Sequence, residues 1–447
     1  MDDYSGFRFV SLLWRIRQKG LIGFWESLWQ EQGDLAWVKF PNDNLVLLAV
    51  HPEHVKHVTI TNREHYEKGK TYDSVRKLLL GNGLVTSNGN QWRNQRKLMN
   101  PIFNGPGLDK MYPIIVNEGL QFAQRWERIV SQRQTVDMGD EMMLVTANII
   151  LKALFSLEHN DNILALKNAI ETMISFVATR QMSISLPLWV KAGKNRDYWQ
   201  ARELVDQFIN KTIEQRRQMP LADRPDDILS RMMNARDEET GQGMTDQMLR
   251  DEAVTLFFAG HETTARTLTF FWYAVSQNPE ILNAINQELG EKVSDSAPTI
   301  AEAKSLTYTT QVVMETMRLY PAVPFYVRDC ILQDEMVGAK IPVGTSVFLA
   351  PYLTHRHPVF WNDPLRFDPN RWAVEQHSKL HPFAFHGFAA GQRACLGGNF
   401  SIFESQILIA ILAKHFIPLL KSGFLPQFEI AGMLRASNGM QMMITSR

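Results

Sequence analysis

The sequence predicts a mainly α-helical protein with a small segregated β region, on three observations. Apolar residues recur at helical spacing through most of the chain. One such stretch, 245–277, continues for ~33 residues, about 50 Å of helix. Strand-like segments gather near 35–50 and within 325–349, instead of alternating with helices as in a parallel α/β fold.

Taken in order, Leu35–Phe40 and 45–50 flank Pro41-Asn-Asp-Asn44 and read as a β-hairpin. Helical periodicity then marks 91–99, 108–130, 138–157, 162 into the 170s, and 197–217. The long stretch 245–277 closes at Asn278-Pro279, a helix stop. Shorter helices follow at 279–289 and 307–320, the second ended by Pro321. Val337-Gly338 and Pro342-Val-Gly344 divide 325–349 into strands. A last amphipathic helix runs from Gly398 through Phe400, Phe403, Ile407 and Leu412 to Lys414.

The 447 residues are 45% hydrophobic and 21% charged, an ordinary globular balance. With no Ser/Gly/Pro-rich linker and no repeat, 1–447 reads as a single domain. Formal net charge is zero without long runs of one sign, which leaves no footprint for nucleic acid. Cys330 and Cys395 are too few and too far apart for a disulfide framework, so a reducing compartment is expected. Cys330, in a predicted strand, reads as structural. No apolar run approaches the ~20 residues that span a bilayer. The N-terminal segment from Phe7 through Trp14 to Arg17 is too interrupted by charge for a signal or anchor. It is expected to pack on the domain rather than touch a membrane, which makes a soluble, cytoplasmic monomer the expectation.

Four segments carry chemistry. The first is Phe388-Ala-Ala-Gly391-Gln-Arg393-Ala-Cys395-Leu-Gly397, a thiol in a glycine-flanked loop just before a helix. A helix N-terminus favours the thiolate, the metal-binding form, and flanking glycines admit a flat cofactor. The plain alternative is an inert buried cysteine. The second is Phe257-Phe258-Ala259-Gly260-His261-Glu262-Thr263-Thr264, inside the long helix. Mid-helix glycine costs about 1 kcal/mol relative to Ala, which points to close approach against the backbone or to a packing notch. A zinc-protease reading fails because position 265 is Ala rather than a second His. The third is Glu315-Thr-Met-Arg318, one helical face at salt-bridge spacing, commonly no more than a surface pair. The fourth, Trp92-Arg-Asn-Gln-Arg96, places an indole N–H and a guanidinium on one face, or else belongs to a solvated basic surface.

The first segment resembles the cysteine-ligand loop of cytochrome P450 enzymes, Phe-x-x-Gly-x-Arg-x-Cys-x-Gly, with all five defining positions present. Phe400 and Glu404 also stand where that family's helix has Phe and Glu. Gly387 replaces the usual proline and Ala389 the usual glycine, departures that bear on loop stiffness. The second segment resembles the family's Ala/Gly-Gly-x-Asp/Glu-Thr-Thr motif without a mismatch. The third, with Arg371 in Pro364-Leu-Arg-Phe367-Asp-Pro369-Asn-Arg371, resembles its Glu-Arg-Arg network. The fourth resembles its Trp-x-x-x-Arg element. The four fall in the family's order between 92 and 404.

The resemblance implies the single-domain P450 fold with haem b as cofactor. Cys395 becomes the iron ligand, with Phe388, Gly397, Ala259 and Gly260 against the macrocycle. Trp92, Arg96, Arg328 and Arg393 become partners of the haem carboxylates, whose planar geometry suits arginine. Glu262 and Thr263 become the proton relay of oxygen activation, and Glu315, Arg318 and Arg371 a structural triad. Position along the motif assigns Leu79, Val85, Phe257, Phe258, Val323, Phe325, Tyr326 and Met440 to an apolar substrate pocket. The implied activity is hydroxylation or epoxidation of a fatty acid, terpenoid or steroid-like molecule. Electrons would come from a separate ferredoxin or flavodoxin with its reductase, since no flavin or iron–sulfur region is present. Two alternatives remain: a peroxide-driven peroxygenase, disfavoured by the intact Glu262-Thr263 pair, and a non-catalytic haem sensor or carrier.

Overall fold

The computed structural model describes residues 2–3, 8–40, 44–157, 161–182, 187–190 and 192–447. The hairpin turn at 41–43 and Phe7 lie outside the described residues.

The central element is Asp246–Gln277, a helix of 32 residues that lies against Met138–Phe155. It begins where Thr245 caps it, the side chain accepting from the Met248 N–H at 3.2 Å. It stops at Asn278 because Pro279 opens the next helix, Pro279–Lys292. Helical faces meet in one extended apolar core that includes Trp126, Phe271, Trp272 and Leu408.

The largest sheet packs into clusters of its own, whereas Phe416, Leu434, Met442 and Ile444 of the smaller sheets join that core. The largest orders its strands as Asp2–Asp3, Leu35–Phe40, Asn44–Ala49, Ser346–Leu349, Tyr326–Cys330 and Tyr66–Glu67. The expected hairpin pairs in antiparallel register, Val38 opposite Val46. Its second strand runs parallel to Ser346–Leu349, so the two β-rich regions of the sequence form one sheet. A separate sheet joins Phe416–Leu420, Gln441–Ser446 and Thr135–Asp137.

Two expectations about elements change. The stretch 108–130 is two helices, Gly105–Asp109 and Tyr112–Ser131. Pro113 explains the break, since proline lacks the N–H of a helix interior but suits a first turn. The N-terminus forms Arg8–Gln32, kinked at Gly20 (φ 66°). Beyond the kink, Phe24, Trp25 and Leu28 bury against Ala36, Val38 and Leu48 of the sheet. Among the described residues, no helix is long and apolar enough to cross a membrane.

Candidate active site

The cysteine loop is shaped by backbone hydrogen bonds. The Cys395 N–H donates to the Phe388 carbonyl at 2.8 Å, and the Ala394 N–H to that of Gly391 at 3.0 Å. Gly391 has φ 69°, and a Cβ there would fall 2.3 Å from the Thr59 carbonyl oxygen, so only glycine fits. Ala389 adopts φ 58° without being glycine, a conformation costing roughly 1–2 kcal/mol. At Gly387 a Cβ would sit 2.8 Å from Cζ of Phe385, so the ring occupies the space a proline would need. A Cβ at Gly397 would meet nothing within 4 Å, which leaves a cradle beside the sulfur.

Gly397 is the N-cap of Gly398–Ala413, so Cys395 lies two residues outside the helix. Burial pushes the thiol up, while the Gly397 N–H aimed at sulfur and the nearby Arg96 pull it down. The residue is nonetheless exposed to the cavity, where a metal can reach the sulfur. A bound metal reverses that balance by displacing the proton.

Cys395 opens onto a cavity of about 240 Å³. Gly387, Phe388 and Gly397 of the loop form one wall; Leu256, Ala259 and Thr263 of the central helix form another. Trp92, Arg96, Arg393 and Lys68 close one end. Arg393 lies 4.1 Å from the Trp92 ring centre, and Arg96 donates to the Ala394 carbonyl at 2.8 Å. Arg328 is buried close by, its side chain over Tyr326.

These cations crowd one another. Burial holds the Lys68 ammonium well below its ordinary range, and Arg328 and Arg393 push it further. Burial, then Arg328, brings Arg393 down to about 10. Both donate to backbone carbonyls, Lys68 to Val85 at 2.6 Å and Arg393 to Ser87 at 2.7 Å. Buried cations so placed are stabilised by an anion, and a flat cofactor with two carboxylates at one edge supplies one.

On the central helix, Thr263 lines the cavity and donates to the Ala259 carbonyl at 2.7 Å. Glu262 is not on the cavity wall; it pairs with Arg266, one turn on, at 3.3 Å. A Cβ at Gly260 would stand 3.0 Å from Cδ1 of Ile150 on the neighbouring helix. The glycine therefore permits helix packing at a point where both residues also face the cavity.

Glu315 and Arg318 are fully buried and joined by two hydrogen bonds of 2.8 Å. Arg371 lies 3.4 Å from Glu315, which also accepts from the Asp368 N–H (2.8 Å) and the Trp372 indole (3.0 Å). Arg318 donates to the carbonyls of His355 (2.8 Å) and Pro364 (2.7 Å). His355 Nε2 in turn accepts the His386 N–H at 3.0 Å, which ties this cluster to the cysteine loop.

A profile of the family described as Cytochrome P450 matches residues 4–441. The chain belongs to the cytochrome P450 family. "Cyclooctatin synthase" of Streptomyces melanosporofaciens is 32% identical over 397 residues, 87% of this chain and 85% of that protein. "Cyclooctat-9-en-7-ol 5-monooxygenase" of the same organism is 29% identical over 407 residues, 88% and 87% of the two chains. Human "Cytochrome P450 4F11" is 29% identical over 434 residues, 92% of this chain and 82% of that one. The fold superposes on the crystal structure of the cytochrome P450DA heme domain with TM-score 0.88, over 95% of this chain and 92% of that one at 23% identity.

This P450 is therefore a haem-b monooxygenase, acting on an apolar substrate with electrons from a redox partner. Bound haem supplies the iron at which dioxygen is activated. The residues fit it: Cys395 would hold the iron, the Gly397 cradle would admit the macrocycle, and Lys68, Arg96, Arg393 and Trp92 would take the carboxylates.

The cavity revises the expected pocket. Val85, Val323 and Tyr326 are on its wall; Leu79, Phe257, Phe258, Phe325 and Met440 are not. Phe257 is buried and stacks on His261 with ring centres 4.4 Å apart. Phe258, the next residue around the helix, packs on the apolar core. Phe325 faces Trp25 at 5.7 Å, because adjacent residues of an extended segment point opposite ways and Tyr326 takes the inner side. Leu79 and Met440 are buried in the core. Leu84, Ile150, Thr255 and Leu256 line the cavity without having been expected. Leu256 had a signal, its helical spacing from Ala259 and Thr263; Lys68 had none, one lysine among several in a polar stretch.

Proposed function

We propose that this P450 oxygenates a cyclic, terpenoid-like substrate, using electrons from a ferredoxin or flavodoxin with its reductase, and works as a single-domain monomer. One observation carries the reading: Cys395 and Thr263 share a cavity whose remaining substrate-side wall is mostly apolar, with Leu84, Val85, Leu256 and Val323 upon it. An apolar wall binds by area and shape rather than by polar pairing. The monooxygenase of similar sequence that acts, as its name says, on cyclooctat-9-en-7-ol supports a cyclic over a linear substrate.

Thr263 and Glu262 share the proton delivery. Successive helix positions point ~100° apart, so Thr263 faces the cavity while Glu262 faces its partner Arg266 on the other side. Glu262 exchanges protons with water on that side, and the Thr263 hydroxyl positions the water that presents them in the cavity. Thr263 already donates to Ala259, so in this role it accepts from a water while its own proton stays on the helix.

The test reconstitutes the haem-loaded protein with ferredoxin, reductase, NADPH and O₂, and offers cyclic terpene alcohols alongside fatty acids. Expected is a product heavier by one oxygen atom from the cyclic alcohols, absent without the reductase. Turnover only with added peroxide, or only on fatty acids, would contradict the proposal. Thr263→Ala should keep haem and ligand binding yet lower product per electron by about tenfold or more, with hydrogen peroxide rising. Unchanged coupling would remove Thr263 from the mechanism.

A further inference from the structure

Segment 81–87 carries Leu84 and Val85 onto the cavity wall, and the central helix holds it there through two acidic side chains. The Asn82 N–H donates to Asp251 at 2.8 Å and the Leu84 N–H to Glu252 Oε2 at 3.0 Å. The approach is close enough to require glycine. A Cβ at Gly81 would fall 2.2 Å from Asp251 Oδ1, and one at Gly83 would fall 2.1 Å from Thr255 Oγ1. From the opposite side, Lys68 grips the Val85 carbonyl and Arg393 that of Ser87.

Glu252 is the unusual member. It is wholly buried, its Oε1 has no partner, and burial pushes it up to about 8. It lies off the cavity wall and belongs to none of the P450 motifs. A buried carboxyl is costly, and its one hydrogen bond goes to the backbone of a residue that shapes the pocket.

We propose that Glu252 is a positioning residue for substrate selection: by accepting the Leu84 N–H it sets where Leu84 and Val85 stand over the cavity, and so how large a ligand is admitted beside the cofactor. This rests on the reading of the cavity as shared by haem and substrate. Asp251 and the bare backbones of Gly81 and Gly83 complete the same strap. The wall is thereby fixed by polar contacts behind it, while the face shown to the ligand stays apolar.

The test uses two nitrogenous probes on the haem-loaded protein, followed by optical titration. Imidazole is small enough to reach iron without touching the wall; phenylimidazole extends to it. Glu252→Gln keeps an acceptor oxygen and should bind both probes within about twofold of wild type. Glu252→Met keeps volume without the acceptor, and should weaken phenylimidazole about fivefold or more while leaving imidazole unchanged. Gly83→Ala, which pushes the segment off Thr255, should reproduce that pattern from the other side. Equal change, or none, for both probes in Glu252→Met and Gly83→Ala would overturn the proposal. Failure of both variants to fold while Glu252→Gln folds would also count against it, since the role would then be general stability. Absence of any haem–imidazole spectrum in wild type would instead sink the underlying haem reading.

Discussion

The two sides of the cavity are built by opposite means. Behind the cysteine loop one ion pair is saturated: Glu315 accepts from Arg318, Asp368 and Trp372, and Arg318 also fills the carbonyls of His355 and Pro364. Around that pair the matching is incomplete: Arg371 Nε, His386 Nε2 and both oxygens of Glu404 are buried without a hydrogen-bond partner, and burial pushes the Glu404 carboxyl well above its ordinary range. On the central-helix side Leu256, Ala259 and Gly260 share the wall with threonines, facing the apolar Leu84 and Val85, and polar groups on and behind that wall are left partly unmatched. Thr255 Oγ1 and Glu252 Oε1 are both buried without a partner. A saturated hydrogen-bond network has one low-energy arrangement, which suits a loop that must hold a metal ligand. An apolar wall is defined by volume and can change residues without losing its sense, which suits a surface that selects substrate.

The contrast can be broken most forcefully at the matched side. Glu315→Ala leaves Arg318 buried without its carboxylate and should cost about 3–5 kcal/mol, read as a lower denaturant midpoint and poor haem retention. A loss under 1 kcal/mol would mean that the cluster is not a clamp. On the unmatched side, Glu252→Gln should act with the opposite sign. The folded protein holds the Glu252 proton to about pH 8, whereas an unfolded carboxyl releases it near 4.5. That contribution to stability is complete below 4.5 and is lost as pH rises through 8. Glutamine does not titrate, so the variant should be roughly equal to wild type at pH 4.5 and more stable by a few kcal/mol above pH 8. Unfolding curves at the two ends of that range decide it; a pH-independent difference would contradict the account. The smallest effect is expected at Gly260→Ala. Alanine gains about 1 kcal/mol of helix propensity but must displace Ile150 by a few tenths of an ångström. Stability should change little while ligand preference shifts, as probe titrations would show; a large loss of stability would mean that Ile150 cannot yield.

The same contrast explains what was legible beforehand. Cys395, Arg393 and the triad stand at fixed spacings because each makes directed contacts, and directed contacts leave a pattern in sequence. The long helices followed from periodicity, whereas Pro113 divided 108–130 and the short helices Ile228–Asn234 and Ile300–Ser305 offered too few turns to show a period. The wall was harder to read, since a buried Phe257 stacked on His261 looks the same in sequence as one facing substrate. Phe325 and Tyr326 differ only in which side of an extended segment they take. Lys68 and Glu252 act through the backbone carbonyl and N–H of residues 16 or more positions away, and backbone groups are the same at every position. The Gly387 departure became intelligible only once Phe385 was seen to fill the space.

The central claim is that Cys395 holds haem iron as a thiolate in a loop that opens the sulfur onto the cavity. It is tested most directly by the optical spectrum of the reduced, carbon-monoxide-bound protein, recorded for wild type and for Cys395→Ser. The account predicts a thiolate-ligated spectrum in wild type and its loss in the variant with haem still bound. A wild type without that signature, or a variant that retains it, would contradict the account.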